Sequence, residues 1–467
     1  MTMQGDSGRD GALHLYENGS IAQSEAHPMI SAPPPASINV SRGRPTRQSS
    51  GDADGTRSGT ATNGSFTGLF SFCTDREENP WWEVDLGTVL PVGRITVWNR
   101  DDAAINGAER ARPLRVLTSR DGAAWETLWY SHAVFGAKSF GLPLEIETLI
   151  PAMTRYILLQ IERVEYLHLD QVEVFLALPP IRFGEVTRLC MTRAGPRASL
   201  RMDHNSGFFS VCSTMLQTIV TLHSWGIVTE ALDTTRTHTV SRDREGPEDV
   251  HAALFVPPAD IDLPNLEHTA ASYGPFDASH CHWHYRALDF AAITPFVTRH
   301  FTPLPAVREI EHRLLAKHGL DPAQLIAIYY RGTDKSSEVP PTKIGRFIAE
   351  AERILAAEPG LRVFVQTDQA QVRDALAAHF GPRCVYFNAL PVTAGDVGVH
   401  HDARDMQSEF GISRFGMAQH FLAAVRIMAR ARHVITCTSN VALWIALYRG
   451  SAERLLQFDT RQELVGR

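Results

Sequence analysis

The sequence predicts a chain of several domains, an all-β sandwich followed by an α/β region built on parallel strands. Three observations lead there. The 467 residues exceed what one hydrophobic core usually organises. From Asn39 to about Ala177, short alternating runs are separated by Gly, Pro and Asp turns, the pattern of half-buried strands. After Leu320, apolar strand-like runs alternate with amphipathic helical ones, which implies right-handed crossovers and a doubly wound sheet.

In chain order, residues 1–35 come first. They are polar, rich in Gly, Ser and Ala, and end in Pro33-Pro34-Pro35, a composition that predicts disorder. Residues 36–178 form the sandwich. Strands are expected at Glu83–Leu86, Arg94–Trp98, Tyr156–Ile161 and Val172–Phe175. Leu114–Thr118 and Trp125–Leu128 flank Asp121-Gly122 and read as a hairpin. Pro179-Pro180 marks a linker. Residues 181–319 form one lobe, with a helix over Ser210–His223 after the turn Asn205-Ser206-Gly207 and a charged loop over 236–248. Residues 320–467 form a second. Its strands are expected at Leu325–Tyr330, Arg362–Gln366, Cys384–Phe387, His433–Cys437 and Arg454–Phe458. Its helices are expected at Gln369–Phe380, Gly416–Arg430 and Asn440–Tyr448. A further helix has Thr342 as N-cap and an apolar face of Ile344, Phe347, Ile348, Ala351, Ile354 and Leu355.

Composition narrows the function classes. A formal net charge of −7 with no long basic run excludes a chain built for nucleic acid. Only Lys138, Lys317, Lys335 and Lys343 are lysines, so a Lys inside a motif carries more information than an Arg. The six cysteines are scattered with no CxxC pair, which reads as free thiols in a reducing compartment. The N-terminus lacks the basic-then-apolar order of a leader, and no apolar run approaches the ~20 residues that span a bilayer. The expected location is the cytoplasm.

The sandwich carries three informative stretches. They are Asn39-Val40-Ser41-Arg42-Gly43-Arg44-Pro45, then Asn79-Pro80-Trp81-Trp82-Glu83-Val84-Asp85-Leu86-Gly87, then Asn99-Arg100-Asp101-Asp102. They resemble the F5/8 type C (discoidin) family, and within it the fucose-binding F-type lectins. The resemblance implies a jelly-roll sandwich. It also implies a sugar gripped by a His, an Arg-x-Asp and a further basic residue, and a structural calcium. Carried onto this sequence, the candidate glycan site is Arg100, Asp102 and Arg110. Cys73 stands where the His would be, and the last basic position falls on Gly107. Gln171 occupies an acidic calcium-ligand position, and a neutral amide holds a hard cation less well than a carboxylate does. The plainer reading has Trp81 and Trp82 as strand and core residues of a docking module.

In the second part, Ile328-Tyr329-Tyr330-Arg331-Gly332-Thr333-Asp334-Lys335 runs from a strand into a Gly turn and polar residues. Ligands of open α/β sheets bind beyond such carboxyl ends. Val363–Asp368 ends a second strand in polar residues. Ile435-Thr436-Cys437-Thr438-Ser439-Asn440 ends a third and opens a helix, whose N-terminus suits phosphate. The plainer reading is a set of solvated turns. In this order the segments resemble the three motifs of the α1,6-fucosyltransferases and the related nodulation and protein O-fucosyltransferases. The resemblance implies a GT-B-like enzyme with two Rossmann-like lobes. Such an enzyme takes a nucleotide-sugar donor (GDP-fucose the first guess), inverts the anomeric centre and needs no metal. The acceptor would be a glycan or other hydroxyl-bearing glycoconjugate.

On that resemblance Arg331 neutralises the leaving diphosphate and Asp368 matches the acidic residue of the second motif. Donor-binding candidates are Tyr329, Arg331, Thr333, Lys335, Thr367, Asp368, Thr438, Ser439 and Asn440. Acceptor-side candidates are Asn205, Gly207, Phe208, His282 and His284. Tyr329 replaces the first-motif His, and Ala424 falls where the family has an Asp; in the relatives both help to hold the guanine. These departures support the alternative expectation of a non-catalytic, carbohydrate-binding scaffold. Weaker constellations are His280-Cys281-His282-Trp283-His284, the Asp260-Ile261-Asp262 spelling in a Pro-flanked loop, and His400, His401 and Asp402.

Overall fold

The computed structural model describes residues 38–51, 58–100, 105–136, 143–192, 194–264, 266, 276–281, 283, 285–332, 342–394 and 406–458. The segment 1–35 lies outside them.

The sandwich is organised by two strands of 18 residues, β2 (Trp81–Trp98) and β5 (Leu144–Ile161), which pair antiparallel. The two strands expected at Glu83–Leu86 and Arg94–Trp98 are thus halves of one. Gly87, at φ 86°, and Pro91 interrupt the alternation, and the register shifts between Asp85 and Leu90. A shift of this kind is a bulge, which bends a strand without ending it. Around this pair lie β1 (Thr46–Gln48), β3 (Leu114–Ser119) and β4 (Glu126–Ser131), in the order β1-β2-β5-β3-β4, and β6 (Gln171–Leu176) joins the second half of β2. The expected hairpin across Asp121-Gly122 is β3–β4.

Successive strand residues face opposite ways. Trp82, Val84 and Leu86 therefore meet Ile157, Leu159 and Ile161 in one core. Trp82 is 0% exposed and its indole N–H donates to the Ser58 carbonyl at 3.0 Å. Burial of such a side chain contributes roughly 1.5–3 kcal/mol.

The region 181–319 departs from the expectation of a second Rossmann-like lobe. It contains a three-stranded mixed sheet of β7 (Gly184–Thr192), β8 (Gly195–Met202) and β9 (Val228–Asp233). Residues 193–194 join β7 to β8, and so short a connection allows only antiparallel pairing. Helix α1 (Phe208–Ser224) then lets β9 return parallel to β8. Leu189 of β7 packs against both this core and the sandwich core. Two longer helices, α2 (Phe290–His300) and α3 (Pro305–His318), follow in the region.

The C-terminal sheet is parallel throughout: β10 (Leu325–Tyr330), β11 (Arg362–Thr367), β12 (Cys384–Val385), β13 (His433–Cys437) and β14 (Leu455–Phe458). Its five strands run in the order β12-β11-β10-β13-β14, so the winding reverses between β10 and β13. Helices α4 (Ile344–Ala357) and α5 (Ala370–Phe380) cover one face, and α6 (Arg414–Arg430) and α7 (Asn440–Arg449) the other. Ile326 and Ile328 face α4 and α5, while Leu325, Ala327 and Tyr329 belong to the core with α1, α6 and α7. Every β10 residue is buried, which is why its sequence is a continuous apolar run.

Thr342 does not cap α4. Lys343 holds the N-cap position without a side-chain cap bond, and the buried Thr342 hydroxyl has no partner. Glu311 of α3 is 2% exposed and binds Arg426 of α6 at 3.0 Å and Arg430 at 2.5 Å. Among the described residues no helix is long and apolar enough to cross a membrane.

Candidate functional site

At the carboxyl ends of β10 and β11, next to the reversal, the chain encloses a cavity of about 440 Å³. That lies within the ~300–1,000 Å³ typical of small-molecule sites, at the position where open α/β sheets bind ligands. Tyr329, Arg331, Thr367, Asp368 and Asn440 line it from the sheet side, and Asn205, Gly207 and Phe208 from the other lobe. Donor-side and acceptor-side candidates thus meet in one space.

Arg331 leaves the end of β10 and its Nε lies 4.0 Å from Asp368 Oδ2, with both side chains 18% exposed. The Gly332 N–H donates to Asp368 Oδ1 at 3.3 Å, which sets the carboxylate under the turn. A Cβ on Gly332 would stand 2.6 Å from Tyr330 Cε1 and would collide with Gln369 Oε1, so the close approach requires glycine. The Arg331 N–H also donates to Cys437 Sγ at 3.4 Å and joins the ends of β10 and β13. Burial pushes the Cys437 thiol up to about 11, so it stays neutral.

Thr367 is 3% exposed and its hydroxyl accepts the Gln369 N–H at 3.2 Å, so it shapes the turn after β11. Tyr329 is 4% exposed and paired in register with Gln366, which also lines the cavity.

The third motif divides. Ser439 is 0% exposed and caps α7, its hydroxyl accepting the Ala442 N–H at 3.1 Å. Thr438 is 7% exposed and accepts from Gln457 Nε2 at 3.3 Å. Neither is among the described cavity-lining residues, and Asn440 is. The Ser213 hydroxyl lies 2.9 Å from Asn440 Oδ1 and accepts the Trp444 indole N–H at 3.0 Å, so α1 locks Asn440 in place.

The opposite wall is apolar. Phe209 packs 5.0 Å from Phe208 and 5.5 Å from Phe421 of α6, and Met417 and Ala418 continue that wall. The charged loop is pinned to it at two points. Asn205 Nδ2 donates to the Arg236 carbonyl at 3.0 Å, and Asp243 accepts the N–H groups of Arg414 and Phe415 at 2.8 and 2.9 Å. Asp243 thereby holds the N-terminus of α6. Gln366, Met417 and Phe421 were not singled out from sequence; their only signal is position one turn or one residue from a motif. Ala424 lies a turn beyond Phe421, 0% exposed in the core.

Thr333, Lys335, Asp102, His282 and His284 lie outside the described residues, as do His400, His401 and Asp402. His280 and Cys281 end a short helix, Ala278–Cys281, rather than a strand, and His280 binds Asp277 at 2.7 Å. Asp260, itself exposed, lies 3.7 Å from the half-buried Arg197 and 3.9 Å from the buried Arg299, so it serves an ion-pair cluster.

In the sandwich, the Arg100 guanidinium lies over the Phe70 ring at 5.4 Å and Arg110 over Tyr166 at 5.3 Å. His168, across the strand pair from Cys73, lies beside both arginines and 5.6 Å from Phe70. It is 1% exposed with both ring nitrogens unpartnered. Burial, and then Arg100 and Arg110, push it down to about 4. Sequence reasoning missed His168 because only the fold brings it to Cys73 and Arg100. Burial raises the Cys73 thiol while the two arginines oppose that shift. Arg100 lies flat on Gly107, where a Cβ would stand 2.8 Å from Arg100 Cδ, so no basic side chain fits there without displacing Arg100. Phe66, Leu69 and Phe70 of the neighbouring loop are 52%, 52% and 45% exposed.

Gln171, where the calcium position falls, is 1% exposed. Its Nε2 lies 2.8 Å from the Thr60 carbonyl, 3.1 Å from that of Ser65, and 3.3 Å from both Asn63 Oδ1 and Ser71 Oγ. Its Oε1 accepts the Gly64 N–H at 3.0 Å. The adjacent Asp170 faces donors instead: the N–H groups of Thr67 and Gly68 and the hydroxyls of Thr67 and Ser71, at 2.8–3.2 Å. An amide nitrogen fills the ring of oxygens, and the carboxylate of Asp170 is turned to N–H and O–H groups. These residues do not fit a hard cation, which requires oxygens at about 2.3–2.6 Å and carboxylate charge.

Comparison with known proteins bears on this N-terminal part. Residues 54–150 match the F5/8 type C family described as the NedA-like, galactose-binding domain. Fucolectin-4 of Anguilla japonica is 32% identical over 111 residues, 23% of this chain and 59% of that protein. Fucolectin-6 of the same species is 29% identical over 101 residues, 22% of this chain and 51% of that protein. The chain therefore spans little more than half the length of these curated relatives. Among solved structures, a His 62 mutant of the lectin binding domain of Lectinolysin, complexed with Lewis b, is 27% identical. That match covers 31% of this chain and 100% of the other, at a TM-score of 0.27. The N-terminal part of this chain is an F5/8 type C domain of the galactose-binding, lectin-like kind.

Proposed function

We propose that the chain is a carbohydrate-active protein in which the sandwich holds a glycan and the C-terminal region is an inverting, fucosyltransferase-like glycosyltransferase. One observation carries the second half. The cavity at the strand-order reversal brings a cation, Arg331, beside the first residue of a helix, Asn440, against an apolar wall. A cation and a helix N-terminus suit a diphosphate, and the apolar wall suits a base or sugar face. In the proposed reaction an acceptor hydroxyl oxygen bonds to the anomeric carbon as the bond from that carbon to the diphosphate oxygen breaks. The hydroxyl proton passes to solvent. Arg331, held by Asp368, offsets the charge that develops on the departing diphosphate.

For the sandwich, Arg100 and Arg110 supply N–H donors and Phe70 an aromatic face against which a sugar ring can pack. The fucolectin relatives make a fucose-bearing glycan the first probe.

A second reading, a glycan-binding scaffold without turnover, is favoured by one observation. Among the described cavity-lining residues Asp368 is the only carboxylate and there is no His, and Asp368 is engaged by Arg331 and Gly332. Thermal melting with GDP, UDP, dTDP, CDP and their sugars separates the readings. A ligand at ~100 times its dissociation constant adds about 2.7 kcal/mol, a readable shift in melting temperature. A shift with one diphosphate that disappears in Arg331→Ala, followed by sugar transfer from that donor, supports the transferase. No shift with any nucleotide leaves the scaffold.

A further inference from the structure

We infer that the Gln171 side-chain amide takes the place of a structural metal ion in the sandwich, so that the glycan-face loop is held without a divalent cation. The argument is geometric. Loop 60–71 sends two backbone carbonyls, an amide oxygen and a hydroxyl toward one point, as loops do around a hard cation. At that point stands Nε2 of Gln171, covalently fixed to the first residue of β6 and 1% exposed.

The orientation of the amide is set by the network. Gly64 donates its N–H to Oε1, so the other end must be the nitrogen. Two N–H groups shared among four oxygens give a partial positive charge where a cation would bring a full one. The neutral ring needs no carboxylate, and among the described residues none is offered: Asp170, 3% exposed, spends both oxygens on the N–H and O–H groups of the same loop. A cation entering here would have to expel the amide. That would leave the half-buried Gly64 N–H without its partner, at a cost of the order of a lost hydrogen bond.

The two residues act as a pair. Gln171 gathers the acceptors of the loop and Asp170 gathers its donors. Between them they fix the segment that carries Phe66, Leu69 and Phe70 beside Arg100. The order of that segment, and any glycan binding that depends on it, is then insensitive to chelators.

The test uses the full chain. Melting of the wild type is followed in EDTA and in millimolar CaCl₂, and calcium is titrated calorimetrically into the EDTA-stripped protein. The expected result is one melting temperature in both buffers and no saturable heat. In Gln171→Glu the carboxylate joins the four oxygens, and the melting temperature should drop in EDTA and recover with calcium but not with magnesium. A wild type that melts several degrees lower in EDTA, or that binds calcium with saturable heat, overturns the inference. A Gln171→Glu protein that folds yet ignores calcium overturns it too, because the oxygens would then not form a cation-shaped ring. The wild-type titration stands even if that variant fails to fold.

Discussion

Acidification from pH 7 to pH 5 should destabilise this protein through its buried histidines. His238, His251 and His300 are 0%, 6% and 1% exposed in the core around Phe208, Phe255 and Phe301. Burial pushes them down to about 3, 4 and 3. Besides burial, His251 and then Arg242 lower His238, Arg299 and then His251 lower His300, and Asp249 partly opposes the shift at His251. The unfolded chain takes up protons near pH 6.5 while the folded chain does not, so stability is intact above that pH and falls below it.

For a folded value of 4 or less, one histidine contributes about 0.2 kcal/mol of destabilisation at pH 7 and about 2 kcal/mol at pH 5. Three together remove roughly 5–6 kcal/mol over that interval, against a typical total of about 5–15. His204 and His223, also lowered by burial, act in the same direction. Urea unfolding at pH 7, 6 and 5 reads the effect as a slope of about 1.4 kcal/mol per pH unit for each proton taken up. The expected slope between pH 6 and 5 corresponds to about three protons. His300→Gln should reduce it by about one. A slope of less than about one proton would refute the reasoning, since it would mean that these rings already carry charge or reach water when folded.

Other outcomes follow from single contacts. Gly332→Ala drives a methyl group against Tyr330 and Gln369 and should cost about 1–3 kcal/mol; melting temperature and nucleotide-dependent stabilisation should fall together. Glu311→Ala leaves Arg426 and Arg430 without their buried partner. Because both arginines are partly exposed, the loss in chemical denaturation should sit at or below the low end of the 3–5 kcal/mol seen for broken buried pairs. Ser213→Ala removes the hydroxyl that joins α1 to Asn440 and Trp444 and should cost about 1–2 kcal/mol. It should also weaken any diphosphate bound in the cavity, read as a smaller ligand-induced rise in melting temperature.

The C-terminal sheet was legible because its strands are buried on both faces. Leu325–Tyr330 is apolar at every position, and His433–Cys437 is buried at all but its first residue, so their boundaries coincide with the expected ones. The cavity was legible in outline for a related reason: Arg331, Asp368 and Asn440 follow the ends of such strands. The long strand Trp81–Trp98 was read as two because Gly87 and Pro91 break a local pattern while the pairing with β5 carries the chain through. The β7–β8 hairpin was missed outright. Its outward positions hold Glu185, Arg188 and Arg201, and the ion pairs of Arg201 with Asp233 and Glu185 form only across strands. His168 was missed in the same way, and Gln171 was legible only as a departure from the resembled family, not in what its amide binds. Their roles depend on a loop that sits about a hundred positions earlier, for instance Gly64 for Gln171, and local pattern carries no trace of that meeting.

The grip of Asp243 on α6 gives the cavity a direction. Three helices begin at or near its edge, α1 at Phe208, α6 and α7, and each would draw an anion by its free N–H groups. The first N–H groups of α6 are already occupied by the Asp243 carboxylate, which adds a negative charge there. The start of α7 is capped by the uncharged Ser439 and shares the cavity lining with Arg331. An elongated ligand with one anionic end would therefore be disfavoured with that end at the start of α6, where a charge supplied from the other lobe opposes it, and its neutral end would suit the wall of Met417 and Phe421.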